Sequence, residues 1–116
     1  MIPIPTILLS ALIMVESSGN DRAIGRMGEL GPLQIMPTTL VDINRISGRS
    51  FTRSDAFHRE SAIQMATIYL NHYATEKRLG RKPTFRDYAM IWHHGPNGWK
   101  RTGPDRYWNK VQRHLR

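Results

Sequence analysis

Glu16 occupies the most informative position of any acidic residue in this 116-residue chain. It follows an apolar run in which Ile4, Ile7, Leu8, Ala11, Leu12 and Val15 keep the i, i+3, i+4 spacing of a helix face. Successive helical residues turn by about 100°, so Glu16 falls on the shoulder of that face, one step past Val15. A carboxyl group there is partly withdrawn from water, and desolvation disfavours its charged form and raises its pKa. A carboxyl that keeps its proton near neutral pH is what a general acid requires. Taken alone, Glu16 reads more readily as a solvated residue at a helix end. Ser17-Ser18-Gly19-Asn20 stops the helix directly after it, so its side chain can face a cleft.

Gln34 is the second candidate. It lies between Leu33 and Ile35 in the segment Gly31-Pro32-Leu33-Gln34-Ile35-Met36-Pro37. An amide among apolar neighbours must find hydrogen-bond partners. It either braces the backbone around it or lines a sugar-binding cleft, and the two roles are compatible. The adjacent pair His93-His94 invites a metal reading. Neighbouring side chains at a helix end point in different directions, and no Asp, Glu or Cys stands nearby at ligand spacing, so no metal site is expected. Tyr88, Trp92, Trp99, Tyr107 and Trp108 are either core or sugar-stacking residues. Tyr88 and Tyr107 are expected to pack inside. Trp99 follows Gly98 in a loop and is the candidate sugar platform.

The elements that must position these residues are helices. A first helix is expected over about Ile4 to Glu16, apolar nearly all round and therefore central. Ser17 to Pro32 reads as an irregular loop or short hairpin. Thr38 or Thr39 can cap a helix reaching about Ile46, which Gly48 ends. The longest helix is expected over Arg59 to Leu79, with Ala62, Met65, Ala66, Tyr69, Leu70 and Tyr73 on one face. Thr84 and Asp87 resemble a capping box for a short helix whose face is Phe85, Tyr88, Ala89 and Trp92. His94 to Gly98 is a loop, and a last helix runs from about Pro104 to Leu115. No stretch alternates as a strand would, so the expected class is mainly α with at most a short β-hairpin.

Length fits one domain, residues 1–116, with one modest core. The absence of cysteine excludes disulfides, thiolate-bound zinc and a thiol nucleophile. The net charge of +8 favours a polyanionic partner: nucleic acid, anionic membrane or bacterial cell wall. Arg22, Arg26, Arg45, Arg49, Arg53, Arg78, Arg81 and Lys82 are scattered over several elements, and no helix-turn-helix or other nucleic-acid motif gathers them. The run Ile7 to Val15 is too short to span a bilayer, which takes about 20 residues. No basic residue precedes it, so it reads as a core helix and not as a signal peptide.

Three blocks in order carry a family resemblance. Val15-Glu16-Ser17-Ser18-Gly19-Asn20, Gly31-Pro32-Leu33-Gln34-Ile35-Met36-Pro37 and Gly95-Pro96-Asn97-Gly98-Trp99 resemble the lytic transglycosylase and lysozyme-like superfamily. The last block, with Tyr107-Trp108 after it, is most similar to small bacterial lysozyme-like proteins related to invertebrate-type lysozymes. The resemblance implies a lysozyme-like α-rich fold and cleavage of the β-1,4 bond between N-acetylmuramic acid and N-acetylglucosamine. It implies that Glu16 is the catalytic acid, that Ser17 helps order the site, and that Gln34 lies in the cleft. Trp92, His93, Gly95 and Trp99 complete the expected substrate-binding set.

The chain departs from the family twice. His93 follows Trp92 where the family usually carries Asn. Invertebrate-type lysozymes place an Asp in the loop after the catalytic Glu, whereas this loop offers Asp21 and Glu29. Glu29, two residues before Gly31, is the better candidate for a second catalytic carboxylate, with a solvated loop charge as its alternative. Hydrolysis with two carboxylates and intramolecular transglycosylation with Glu16 alone therefore both stay open. The expected partner is peptidoglycan, met outside the cytoplasm by a monomer without cofactor. A nucleic-acid-binding domain and a catalytically dead wall-binding module are the rival readings, and the presence of Glu16 argues against the second.

Overall fold

A computed structural model describes residues 2–115. Its helices are α1 (Thr6–Ser17), α2 (Pro37–Ser47), α3 (Arg59–Tyr73), α4 (Glu76–Leu79), α5 (Phe85–His94) and α6 (Arg106–Arg113). Two short 3-10 turns, Ser54–Phe57 and Gly98–Lys100, lie between them. Among the described residues β structure is confined to two isolated antiparallel bridges, Ile24 with Leu30 and Leu30 with Ile35. The mainly helical class expected from the sequence is what the chain adopts. No helix among the described residues is long and apolar enough to cross a membrane.

Helix α1 starts after Pro5, later than the periodicity implies, yet Ile4 is still buried. It buries Leu8, Leu9, Ala11, Leu12 and Ile13, whereas Ile7 and Met14 face outward. Withdrawing a leucine such as Leu8 or Leu12 fully from water contributes about 1.5–3 kcal/mol. Ser18 ends the helix in the left-handed region, at φ 55°. Helix α6 packs on both α1 and α5, and α3 packs on α2 and α5. The buried apolar side chains of these helices, Met90 apart, form one cluster.

Several local expectations change. Pro37 occupies the first position of α2, ahead of the expected start, where its missing N–H would be unpaired in any case. Neither Thr38 nor Thr39 caps that helix, because extended Met36 occupies the cap position. The helix expected over Arg59–Leu79 is two helices. Ala74 leaves helical geometry at φ −97°, ψ 69°, and the Thr75 side chain then accepts from the Arg78 N–H to start α4. The Thr84–Asp87 capping box forms in full. The buried face of α5 is Asp87, Ala89, Met90 and Ile91, while Phe85 is exposed. The fold tolerates buried Asp87 because Arg81 grips its carboxylate with its two terminal guanidinium nitrogens, one contact measuring 2.9 Å. Helix α6 is shorter than expected, with Asp105 as N-cap accepting from the Trp108 N–H.

Candidate functional site

Glu16, Glu29, Gln34, Trp92 and His93 line one pocket of about 130 Å³ together with Ile35, Met36 and Thr39. Five of the eight residues expected at the site therefore converge. They come from the end of α1, the loop that follows it and the last turn of α5.

The loop from Ser18 to Met36 is folded by its own short-range bonds. Gly25 N–H donates to the Glu29 carbonyl (2.8 Å), Gly31 N–H to Ala23 (2.8 Å), and Leu30 and Ile35 exchange two bonds (3.0 and 2.9 Å). Gly31 sits at φ 75°, and a Cβ there would overlap the Ala56 carbonyl of the first 3-10 turn. Only glycine meets both demands. Ser17 fastens the loop to α1, with its hydroxyl directed at the Ile13 carbonyl (3.0 Å) and the Pro32 carbonyl (2.8 Å). Ser17 is not among the lining residues, so its contact with the site runs through the backbone.

Gln34 combines both roles open to it. Its Nε2 donates to the carbonyls of Gly31 (2.9 Å) and Ala23 (3.2 Å), and its side chain lines the pocket. Its φ of 51° is unusual for a residue with a side chain, and the two amide bonds help hold it there. Glu29 Oε1 accepts from the Met27 N–H at 2.6 Å. The Glu29 carboxyl and Gln34 Oε1 both lie against Gly25, where a Cβ would fall 2.6 Å and 2.7 Å from them. Asp21 is spent elsewhere: it pairs with Arg59 of α3 at 2.6 Å, and Arg59 also donates to the Gly19 carbonyl. Glu29, not Asp21, is the second carboxyl group of the pocket.

Burial pushes Glu16 from the ordinary 4.5 up to about 7, a hydrogen bond from Tyr107 pulls it down, and the Glu29 charge pushes it up. The Tyr107 hydroxyl donates to Glu16 Oε2 at 2.8 Å. Burial and the neighbouring Glu16 carboxyl hold that phenol well above its usual pKa, so it remains a donor. With Oε2 occupied, Oε1 is the oxygen free to carry a transferable proton.

Tyr107 is the residue that sequence reasoning underused. It is 7% exposed, as its place on the inner face of α6 implies, but its hydroxyl also reaches the acid. Ninety-one residues separate the pair, so no local pattern joins them. The Tyr107 ring stacks on His93 at 3.9 Å, the planes 6° apart. Burial of the imidazole and the neighbouring His94 keep the His93 pKa below the usual histidine value. Trp92 donates from Nε1 to the Leu33 carbonyl at 3.3 Å, tying α5 to the Gln34 segment.

Gly95 and Trp99 are not among the residues lining this pocket. Gly95 ends α5 at φ 95°. Trp99 packs against the core, with Lys100 and Arg81 over its ring at 5.6 and 6.0 Å. The loop between them is clamped by Arg78, which donates to the Pro96 carbonyl and to Asn97 Oδ1 at 2.9 Å.

A family model, the transglycosylase SLT domain, matches residues 3–89. The match takes in α1, the loop with Glu29 and Gln34, and the chain as far as the first half of α5. Trp92, His93 and Tyr107 lie beyond it. Activity in this family is of the peptidoglycan lytic transglycosylase type, exercised on the cell wall outside the cytoplasm. Most of the chain, including the helix that carries Glu16 in its last turn, is thus accounted for, and the protein belongs to the transglycosylase SLT domain family of the lysozyme-like superfamily.

Proposed function

We propose that the protein cleaves the β-1,4 bond between N-acetylmuramic acid and N-acetylglucosamine, with Glu16 as the general acid. The observation that carries this reading is the state of Glu16: a carboxyl raised to about 7, held by Tyr107 and facing a pocket shared with Gln34 and Trp92. An acid with its pKa near the working pH is both protonated and willing to give the proton up. Oε1 protonates the glycosidic oxygen as the C1–O bond breaks. The resulting carboxylate then takes the proton of the muramoyl 6-hydroxyl, whose oxygen closes on C1 as an anhydro ring. Glu16 ends the cycle protonated, so one carboxyl suffices. Gln34, Trp92 and His93 serve as the sugar-contacting wall, and Ser17 orders the loop behind them.

A second reading rests on Glu29. Its carboxyl shares the pocket and its charge is felt by Glu16. A second carboxylate can activate water or stabilise the sugar cation, which yields hydrolysis. The apolar cluster, which draws on α1, α2, α3, α5 and α6, supports treating residues 1–116 as one catalytic unit.

Clearing of purified cell walls by the wild type and by Glu16→Gln tests the acid. The substitution should abolish clearing; full activity in the variant refutes the assignment. The masses of the released muropeptides separate the two chemistries: anhydro ends mark transglycosylation, and reducing ends mark hydrolysis. Salt-sensitive retention of duplex DNA without any wall clearing would favour the nucleic-acid alternative.

A further inference from the structure

A second recess adjoins the first. It measures about 280 Å³ and shares Glu16 and His93 with the first pocket. Its chemistry differs. The first pocket holds two carboxyl groups and no Lys or Arg. The second is lined by Arg106 and Lys110, one turn apart on α6. Both are exposed, and among the described residues neither makes an ion pair or a side-chain hydrogen bond. The charge of Arg101 also reaches His93 and Asp105 at this end of the molecule. Asp105, the remaining carboxylate of the recess, is already engaged by His94 Nε2 (2.9 Å) and the Trp108 N–H (2.8 Å). Two unspent cations therefore face a concavity that touches the acid. Like charges four residues apart on a helix repel each other, so an anion between them is favoured.

We infer that this recess is an anion subsite, and that its ligand is a carboxylate of the peptide stem carried by the muramoyl sugar. Arg106 supplies a planar fork suited to a carboxylate, and Lys110 a point charge beside it. The assignment to the stem rests on the cleavage reading above. A glycan strand whose scissile bond meets Glu16 lies beside both recesses, because Glu16 and His93 line each of them. N-acetylglucosamine is neutral, and the acidic groups near that bond belong to the muramoyl substituent. A stem carboxylate placed here anchors the strand beside the acid, which is where binding energy aids the chemical step.

The test compares kcat/KM on peptide-bearing glycan strands with kcat/KM on strands stripped of their stems by an amidase. The wild type should prefer the peptide-bearing strands. Arg106→Gln/Lys110→Gln should lower that preference by about tenfold or more, the scale of a charge-assisted hydrogen bond. An equal loss on both strands, or no loss, overturns the inference. Binding is read separately by NMR, with the free stem peptide titrated into the intact protein. Shifts centred on α6 that vanish in the double variant uphold the subsite even if the wild type cuts neither strand, in which case the cleavage reading alone falls. Inorganic phosphate is the control for source: shifts from phosphate as large as those from the peptide, with both strands cut alike, overturn the assignment to the stem.

Discussion

Glu16→Gln should stabilise the protein, and the gain should grow with pH. Burial raises the Glu16 pKa in the folded chain from 4.5 to about 7. The folded state therefore binds this proton more tightly than the unfolded state, so stability is fully present below pH 4.5 and declines as pH rises toward 7. Each pKa unit is worth about 1.4 kcal/mol. The ionised carboxylate thus costs the fold about 1 kcal/mol at pH 5 and about 3 kcal/mol at pH 7, and the cost levels off above pH 8. Glutamine keeps the shape of the protonated acid and can still accept the Tyr107 hydroxyl, but it has no charge to desolvate. For a chain of this size a kcal/mol moves Tm by roughly 4 °C. Glu16→Gln should melt about 4 °C above the wild type at pH 5 and about 12 °C above it at pH 7. Thermal unfolding followed by circular dichroism at pH 4, 5, 6, 7 and 8 measures this without any activity assay. A Tm difference that stays constant across the series would refute the reasoning, because it would mean that Glu16 titrates alike in the folded and unfolded chains.

Other consequences can be measured alongside. Tyr107→Phe removes the donor that favours the Glu16 carboxylate, so the pKa of the acid should rise further; the alkaline limb of kcat/KM for wall cleavage should move up by about one pH unit or more, and an unmoved limb contradicts the pairing. Gly25→Ala should leave Tm within a few degrees but lower kcat/KM about tenfold or more, since its Cβ displaces the flexible ends of Glu29 and Gln34; unchanged kinetics would show that their placement does not matter. Asp105→Ala deletes the N-cap of α6 and the partner of His94, which should cost about 1–2 kcal/mol in urea unfolding. A loss indistinguishable from that of an exposed surface substitution would dismiss the cap.

The sequence was sufficient for the helical class, the capping box at Thr84 and the core side of α3, because each is set by contacts within about one helical turn. It was sufficient to single out Glu16 and Gln34, whose polarity conflicts with their apolar neighbours. It misplaced the break at Ala74, where the apolar spacing runs on but the backbone leaves the helix. It also misread the face of α5, because Asp87 is buried only with Arg81 to neutralise it. Between Asp21 and Glu29, the sequence favoured Glu29 only by its place beside Gly31; the Arg59 side chain on α3 removes Asp21 from the pocket, and the turn at Gly25 delivers Glu29 to it. Trp99 looked like a sugar platform because it sits in a glycine-flanked loop, yet that loop folds back on the core.

What the sequence singled out by itself was the proposed acid: a nearly all-apolar run places Glu16 at its edge, and burial follows from the run. What only the tertiary structure decided was the company the acid keeps. Tyr107 meets it because α6 crosses α1, His93 because α5 ends beside α6, and Arg106 and Lys110 because one face of α6 buries Tyr107 and turns them toward the open side. Local patterning fixes which residues leave water. The pairing of helices far apart in the chain fixes which of them meet.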